Sequence, residues 1–327
     1  MINYKIHIFY HSDLDGFGSG AIARLYYIGY VNQMVLHKID YGQPFPWDEI
    51  KANDTVVMVD FTLQPIVQMI RLRDFLKDNG KLTWIDHHIE AIKSANELDR
   101  LENTCLSDIP GIRQSGRAAI ELTWKYFFSE GKVEREPEIV TLLGRYDVWD
   151  KENKQFDWND YILPFQKALW TRECDPAKKE AANFWFEAFF HPQLFAWRDY
   201  VAQGRMILEK ARKDNLAIMD DLGFEAELRV PDGTFLKVIA VNRTRVSSLL
   251  FEGFYDKDNH EAMVAFSVMK TGECKFSIYS ETKDVGAIAK QFGGGGHKGA
   301  AGFQIPLSEL VDVLRYRNSA KQIEVKE

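Results

Sequence analysis

Short apolar runs alternate with stretches of helical spacing through the first hundred residues. Ile6 to Tyr10, Val31 to Asp40, Thr55 to Asp60 and Lys81 to Ile85 are bounded by polar and glycine-containing segments, which predicts four strands. Those at Ile6 and Thr55 are almost continuously apolar, as in a sheet covered on both faces. Between them, a helix is predicted from Phe17 to about Tyr30, after Gly16. A second, from Leu63 to Asn79, places Ile66, Val67, Ile70, Leu72, Phe75 and Leu76 at helical spacing before a stop at Gly80. The turn at Pro44 and Pro46 introduces a shorter helix. Strand and helix in alternation predict a doubly wound α/β layer on a parallel sheet.

Helical spacing recurs over Ser115 to Gly131 and over Pro137 to Tyr146. Phe156 to about Trp170 is aromatic and loop-like, and Trp158, Tyr161, Phe165 and Trp170 read as packing residues rather than a base-stacking platform. Pro176 to Phe190 and Leu194 to Asp221 are helical, with Pro192 between them. After Gly223 the pattern becomes hairpins. Ala226 to Val230 and Phe235 to Val241 flank Pro231-Asp232-Gly233, while Ala262 to Met269 and Lys275 to Ser280 flank Thr271-Gly272-Glu273. Helices are predicted at Ser247 to Tyr255 and Val285 to Phe292. The expected organisation is an α/β domain over 1–190, a helical connector over 191–223 and a smaller α+β domain over 224–327.

Composition narrows the function classes. With 46% hydrophobic and 27% charged residues, the chain has the make-up of an ordinary soluble globular protein. A net charge of −7, from 41 basic and 48 acidic residues, supplies no basic field to grip a long nucleic acid. A short oligonucleotide or a small nucleotide phosphate fits better. Cys105, Cys174 and Cys274 are far apart, which argues against a disulfide framework or a thiolate metal site and for a reducing compartment. No apolar run approaches the ~18 residues of a membrane span, and the chain starts on a strand, so a cytoplasmic protein with no membrane partner is expected.

The candidate chemistry lies at the strand ends. His11-Ser12-Asp13-Leu14-Asp15-Gly16 follows the first strand, Asp60 closes the third, and Asp86-His87-His88 follows Trp84-Ile85. In an open parallel sheet the ligand crevice lies beyond the carboxyl ends of the strands, so Asp13, Asp15, Asp60 and Asp86 are expected at one edge. Crowded carboxylates repel one another and need protons or a cation. Aspartates mixed with imidazoles suit Mn²⁺ best, with Mg²⁺, Co²⁺ or Zn²⁺ as competitors. Six or seven such side chains are too many for one ion. Two ions about 3.5–4 Å apart, sharing a carboxylate, would use them and activate a water for attack at phosphorus. Phosphoester hydrolysis is the chemistry implied. Arg117, at the expected start of its helix, offers a planar fork for phosphate oxygens. The run Gly293 to Gly296 before His297 can turn several amides inward as an anion nest.

Asp13-Leu14-Asp15-Gly16, Asp60, Asp86-His87-His88 and Asp147 after a helix resemble the four motifs of the DHH phosphoesterase family. Gly293-Gly294-Gly295-Gly296-His297, followed by Lys298-Gly299-Ala300-Ala301-Gly302, resembles the signature of the DHH-associated C-terminal domain. The resemblance spans both ends of the chain in the right order. It implies two divalent ions, Mn²⁺ foremost, in a cleft between the domains. It also implies action on short oligonucleotides, nucleoside phosphates, cyclic dinucleotides or polyphosphate according to branch. His11, Asp13 and Asp60 then resemble the ligands of one ion, and Asp15, Asp60, His87 and Asp147 those of the other, with Asp60 bridging. His11 departs from the small-phosphatase branches, where the histidine stands four positions before the first aspartate instead of two. Asp86 is expected to orient a histidine, and His88 to face the phosphate and stabilise charge or pass a proton. Gly294, Gly295, Gly296, His297, Lys298 and Arg117 are the expected substrate contacts. Two other readings stay open: a pyrophosphatase or exopolyphosphatase-like hydrolase, and a non-catalytic nucleotide sensor. A homodimer is compatible with either.

Overall fold

Four parallel strands, β1 (Ile6–Tyr10), β2 (Met34–Lys38), β3 (Thr55–Val59) and β4 (Lys81–Ile85), form a sheet in the order β2-β1-β3-β4. The computed structural model describes residues 4–29, 33–76, 80–128, 135–191, 193 and 195–317. Helix α1 (Leu14–Tyr27) follows β1, α2 (Val67–Phe75) precedes β4, and α3 (Ile89–Glu102) follows it. The alternation of side chains along each strand sorts the core into two faces. Ile6, Ile8 and Tyr10 of β1 and Val57 and Val59 of β3 pack with α1, α4 (Ala119–Phe128), α5 (Glu138–Asp147) and α7 (Lys179–Phe190); α6 (Leu163–Leu169) lies between the last two in the chain. Phe9, Val56 and Met58 pack on the other face with Met69 and Leu72 of α2 and Ala95 of α3. Helices thus cover both faces, as the doubly wound pattern requires. The strand order reverses at β1, so the switch point lies between β1 and β3, where such sheets bind ligands.

The differences from the sequence reading have local causes. Helix α1 begins at Leu14, three residues early, because Asp13 caps it. Helix α4 begins only at Ala119, since Gly116 at φ +82° turns the chain through Ser115-Gly116-Arg117. Helix α3 has no counterpart among the predicted elements. The aromatic stretch from Phe156 holds a wide helical turn, Trp158–Ile162, and then α6, with Phe156, Trp158, Ile162 and Phe165 buried as packing residues and Trp170, expected to pack, exposed. The expected element ends at Tyr30, Val31, Asn79, Gly131 and Leu194, and Pro192, lie outside the described residues.

The chain forms two compact units, 1–208 and 209–327, with the boundary inside α8 (Trp197–Leu222). The second unit is a seven-stranded sheet of β5 (Gly223–Arg229), β6 (Phe235–Asn242), β7 (Ala262–Val268), β8 (Glu273–Tyr279), β9 (Gly295–His297), β10 (Ala300–Pro306) and β11 (Leu314–Tyr316), ordered β11-β5-β6-β7-β8-β10-β9. Both expected hairpins are present, and β6 pairs β7 in parallel. Alternate residues of β6 again face two cores, Val238 and Ala240 toward α9 (Val285–Gln291), Ile239 and Val241 toward Phe251 and Met219. The helix expected over Ser247 to Tyr255 is only a short turn, Ser248–Phe251. A four-residue helix, α10 (Leu310–Val313), precedes β11.

Candidate metal centre

The chain leaves β1 at Tyr10 and enters α1 within four residues, which fixes three polar side chains at the switch point. Asp13 accepts from the Gly16 amide at 2.8 Å with Oδ1, and its Oδ2 lies 2.7 Å from His11 Nδ1. His11 Nε2 points the other way, 3.4 Å from Asp40 Oδ1, and Ser12 also bonds Asp40. A carboxylate at the far ring nitrogen is the arrangement that orients a metal-ligating histidine. The turn depends on Gly16, whose Cβ would stand 2.3 Å from the His11 carbonyl oxygen. Gly16→Ala is therefore expected to destabilise the fold by about 1–3 kcal/mol, read by chemical denaturation. A variant as stable as the wild type would show that the turn tolerates a side chain.

Asp60 ends β3 in the left-handed region, φ 56°, a conformation that Asp tolerates better than most residues. Its side chain is 1% exposed, and neither carboxylate oxygen has a hydrogen-bond partner. Around it stand His87 Nε2 at 3.2 Å, His88 Nδ1 at 3.8 Å and His11 Nδ1 at 4.0 Å. His87 Nε2 also lies 3.3 Å from Asp147 Oδ2 and 3.7 Å from Asp15 Oδ2. The donor atoms form three overlapping clusters, His11 with Asp13 and Asp60, Asp60 with His87 and His88, and Asp15 with His87 and Asp147. Asp60 belongs to two of them.

Asp86, fully buried, occupies its oxygens differently. Oδ1 accepts from His88 Nδ1 and the His87 amide, both at 2.7 Å, and from the His88 amide at 3.1 Å, while Oδ2 accepts from Thr62 Oγ1. Thr62 in turn accepts from Trp84 Nε1 at 2.9 Å. Asp86 holds His88 by Nδ1 and leaves that ring's Nε2 free of the carboxylate.

Electrostatics separates the acids. Burial and the Asp15, Asp13 and Asp147 charges push Asp60 well above the ordinary carboxylate range. Burial and Asp13 push Asp15 up to about 7, and burial and Asp15 do the same to Asp147. Asp86 goes the other way, since its bonds from His88 and Thr62 outweigh burial and lower it. Burial opposes the charged form of His88, but Asp86 outweighs it and raises the ring's pKa. Three carboxyls driven toward neutrality, two oxygens of Asp60 without a partner and imidazoles on three sides form a donor set that fits divalent cations.

Of the residues expected at the site, His11, Asp13, Asp15, Asp60, His87, His88 and Asp147 converge, with Asp86 directly behind His88. Arg117 is not at a helix start. It is exposed on the turn before α4, along a cavity of about 400 Å³ lined also by Arg135, Glu136, Thr141 and Arg145. The glycine run lies in the second unit and is an edge strand rather than an open nest. Gly295 and His297 pair with Gly302 and Ala300, and a Cβ on Gly294 would meet the Gly302 carbonyl oxygen at 2.2 Å. Glycine is needed there for close approach, and His297 and Lys298 are exposed. Asp40, Tyr41 and Thr62 join the site without having been anticipated. Tyr41 sets its ring 5.9 Å from that of His11 and 5.8 Å from that of His88. Asp40 carried a signal, since it ends a predicted strand just as Asp60 does.

Residues 238–320 match the DHHA1 domain family. An uncharacterised protein of Acanthamoeba polyphaga mimivirus, R106, is 23% identical over 88% of the chain, which spans 64% of that relative's length. Among solved structures, the DHH domain of a member of the s1p family of ribosomal proteins superposes with a TM-score of 0.56 at 15% identity, covering 95% of this chain and 85% of that one. A pGpG-specific phosphodiesterase of Vibrio cholerae gives 0.50 at 11% identity, covering 95% and 96%. Both likenesses concern the fold. Residues 238–320 thus carry a DHHA1 domain, and the chain shares its fold with these DHH-type structures, with Asp86-His87-His88 placed at the end of β4.

Proposed function

We propose that the protein is a Mn²⁺-dependent phosphoesterase acting on short oligonucleotides or nucleoside phosphates. The observation that carries this reading is Asp60, a buried carboxylate with two unpartnered oxygens among three imidazoles and three other aspartates. Such a group is costly to bury without a cation. His11, Asp13 and Asp60 would hold one ion, and Asp15, Asp60, His87 and Asp147 the other. Bound divalent ions supply Lewis-acid chemistry, lowering the pKa of water and neutralising charge on phosphoryl oxygens. The carboxylate and imidazole mixture favours Mn²⁺ over Mg²⁺.

The chain's own residues do the rest. Asp60 fixes the two donor sets at one spacing. Asp86 keeps the His88 ring oriented and favours its protonated form, so that Nε2 can donate to a phosphoryl oxygen or to the leaving oxygen. Asp40 orients His11. Residues 1–190 then carry the ions, 191–223 connect, and 224–327 hold the substrate through Gly294, Gly295, Gly296, His297 and Lys298. Arg117 offers a further phosphate contact. The acidic chain suits a small substrate better than a long strand. Among the described residues, no helix is long and apolar enough to cross a membrane.

The test is a turnover panel with Mn²⁺ containing pGpG, di- to tetraribonucleotides, 3′-phosphoadenosine 5′-phosphate, a cyclic dinucleotide, pyrophosphate and polyphosphate. Turnover of a dinucleotide or nucleoside bisphosphate, abolished by EDTA and restored by Mn²⁺, is the expected result. Binding without turnover of any phosphoester would overturn it in favour of a nucleotide sensor.

A further inference from the structure

Asp15 does more than face His87. Both of its oxygens are taken by the start of α4, Oδ2 by the Ala119 amide at 2.9 Å and Oδ1 by the Ile120 amide at 2.7 Å. A carboxylate from α1 thus caps a helix more than a hundred residues away in sequence. The remaining amide of that turn, Ala118, donates to Glu121 Oε2 at 3.1 Å. Glu121 is 4% exposed, and its partner is the guanidinium of Arg145 on α5, which also bonds Asp150 Oδ2 at 3.3 Å. Two residues further along α5 stands Asp147, 3.3 Å from His87 Nε2. Gly144 completes the contact, because a Cβ there would come within 2.8 Å of the Glu121 side chain.

A continuous polar chain therefore runs from Asp15 through the first turn of α4 and the Glu121–Arg145 pair to the helix that carries Asp147. We propose that Glu121 and Arg145 are positioning residues that set the spacing of Asp15 and Asp147 and so tune the affinity of the His87-centred ion. The other ion's set shares Asp60 with this one, but its own members His11 and Asp13 hang on Asp40 and Gly16, and among the described residues neither bonds Glu121 or Arg145. The inference rests on the two-ion reading and extends it to residues outside the clusters. Outer partners of metal ligands typically matter by about 10–100-fold in affinity.

Calorimetric and electron-paramagnetic-resonance titration of metal-free full-length protein with Mn²⁺ tests it. Asp147→Asn identifies the His87-centred class by its loss. Glu121→Gln keeps the acceptor for Ala118 and removes the charge that pairs with Arg145. It is expected to weaken that class about tenfold or more and leave the other within about twofold. Gly144→Ala, which displaces Glu121 without touching any charge, is expected to do the same, and it decides the matter if Glu121→Gln does not fold. Both classes unchanged, or both weakened in parallel, would overturn the proposal while leaving the metal centre standing. A wild-type protein that binds no Mn²⁺ would instead overturn the metal centre, and this inference with it.

Discussion

Asp60→Asn is expected to lower Mn²⁺-dependent turnover by about a thousandfold or more and, at the same time, to stabilise the metal-free protein. The first effect follows because Asp60 is shared between donor clusters, and ions that neutralise a phosphoryl group contribute several kcal/mol to the transition state. The second follows from burial, since both oxygens are sealed from water without a hydrogen bond. A neutral amide of the same shape removes the charge, at a gain of about 1–3 kcal/mol. The gain grows with pH, because burial and the neighbouring carboxylates raise the pKa of Asp60, and only as it loses its proton does the buried charge appear. Thermal melts of both proteins in EDTA and in Mn²⁺ give the check, alongside turnover. Stabilisation by Mn²⁺ equal to that of the wild type, or turnover within tenfold of it, would remove Asp60 from the centre of the site.

The metal-free protein should also lose stability as pH rises from about 6.5 to 8, and its Mn²⁺ affinity should climb over the same interval. Asp15 and Asp147 titrate at about 7 in the fold, against an ordinary value of about 3.9 in the unfolded chain. Between those values the fold holds protons that the unfolded chain has released. Their contribution is therefore complete below about 4 and disappears as pH rises through about 7. Asp60 acts in the same direction, as do His11, raised by its Asp13 bond, and His88. Burial lowers His7 and His37, which work in the opposite direction, but only below their usual value of about 6.5. Carboxyls held low, such as Asp13, Asp86 and Asp175, matter only below about 4. The window above 6.5 therefore belongs to the Asp–His cluster at the sheet edge. On the reading proposed above, a bound Mn²⁺ would displace the cluster's protons, so affinity should rise by up to about tenfold per pH unit for each proton released. Titration calorimetry in two buffers of different ionisation enthalpy counts those protons. A flat melting temperature in EDTA together with pH-independent Mn²⁺ binding would contradict the arrangement.

Much of this was readable from residue order because the decisive elements are buried. Strands β1 and β3 are almost continuously apolar, which declares a parallel layer covered on both faces, and such a layer brings strand ends together by geometry. Asp13, Asp15, Asp60, His87 and His88 follow from that rule alone. Asp147 does not, since it sits at a helix end and is indicated only by the family resemblance. Helix α3 shows no apolar stripe in the sequence because it buries only Ala91 and Ala95. The turn at Gly116 and the pairing of Gly295 with Gly302 depend on backbone angles and register that composition does not encode. Thr62 and Glu121 act through partners 24 residues away, contacts no local pattern announces.

The seven-stranded sheet ends on both sides in strands of only three residues, β9 and β11. Long exposed rims invite a neighbouring polypeptide to join by strand addition, the route to aggregation and domain exchange. Here the terminal strands themselves offer only a few backbone groups each, and β9 covers Ala300 to Gly302 of the longer β10. The glycines that let β9 approach β10 thus also shield that part of the longer strand from an incoming one.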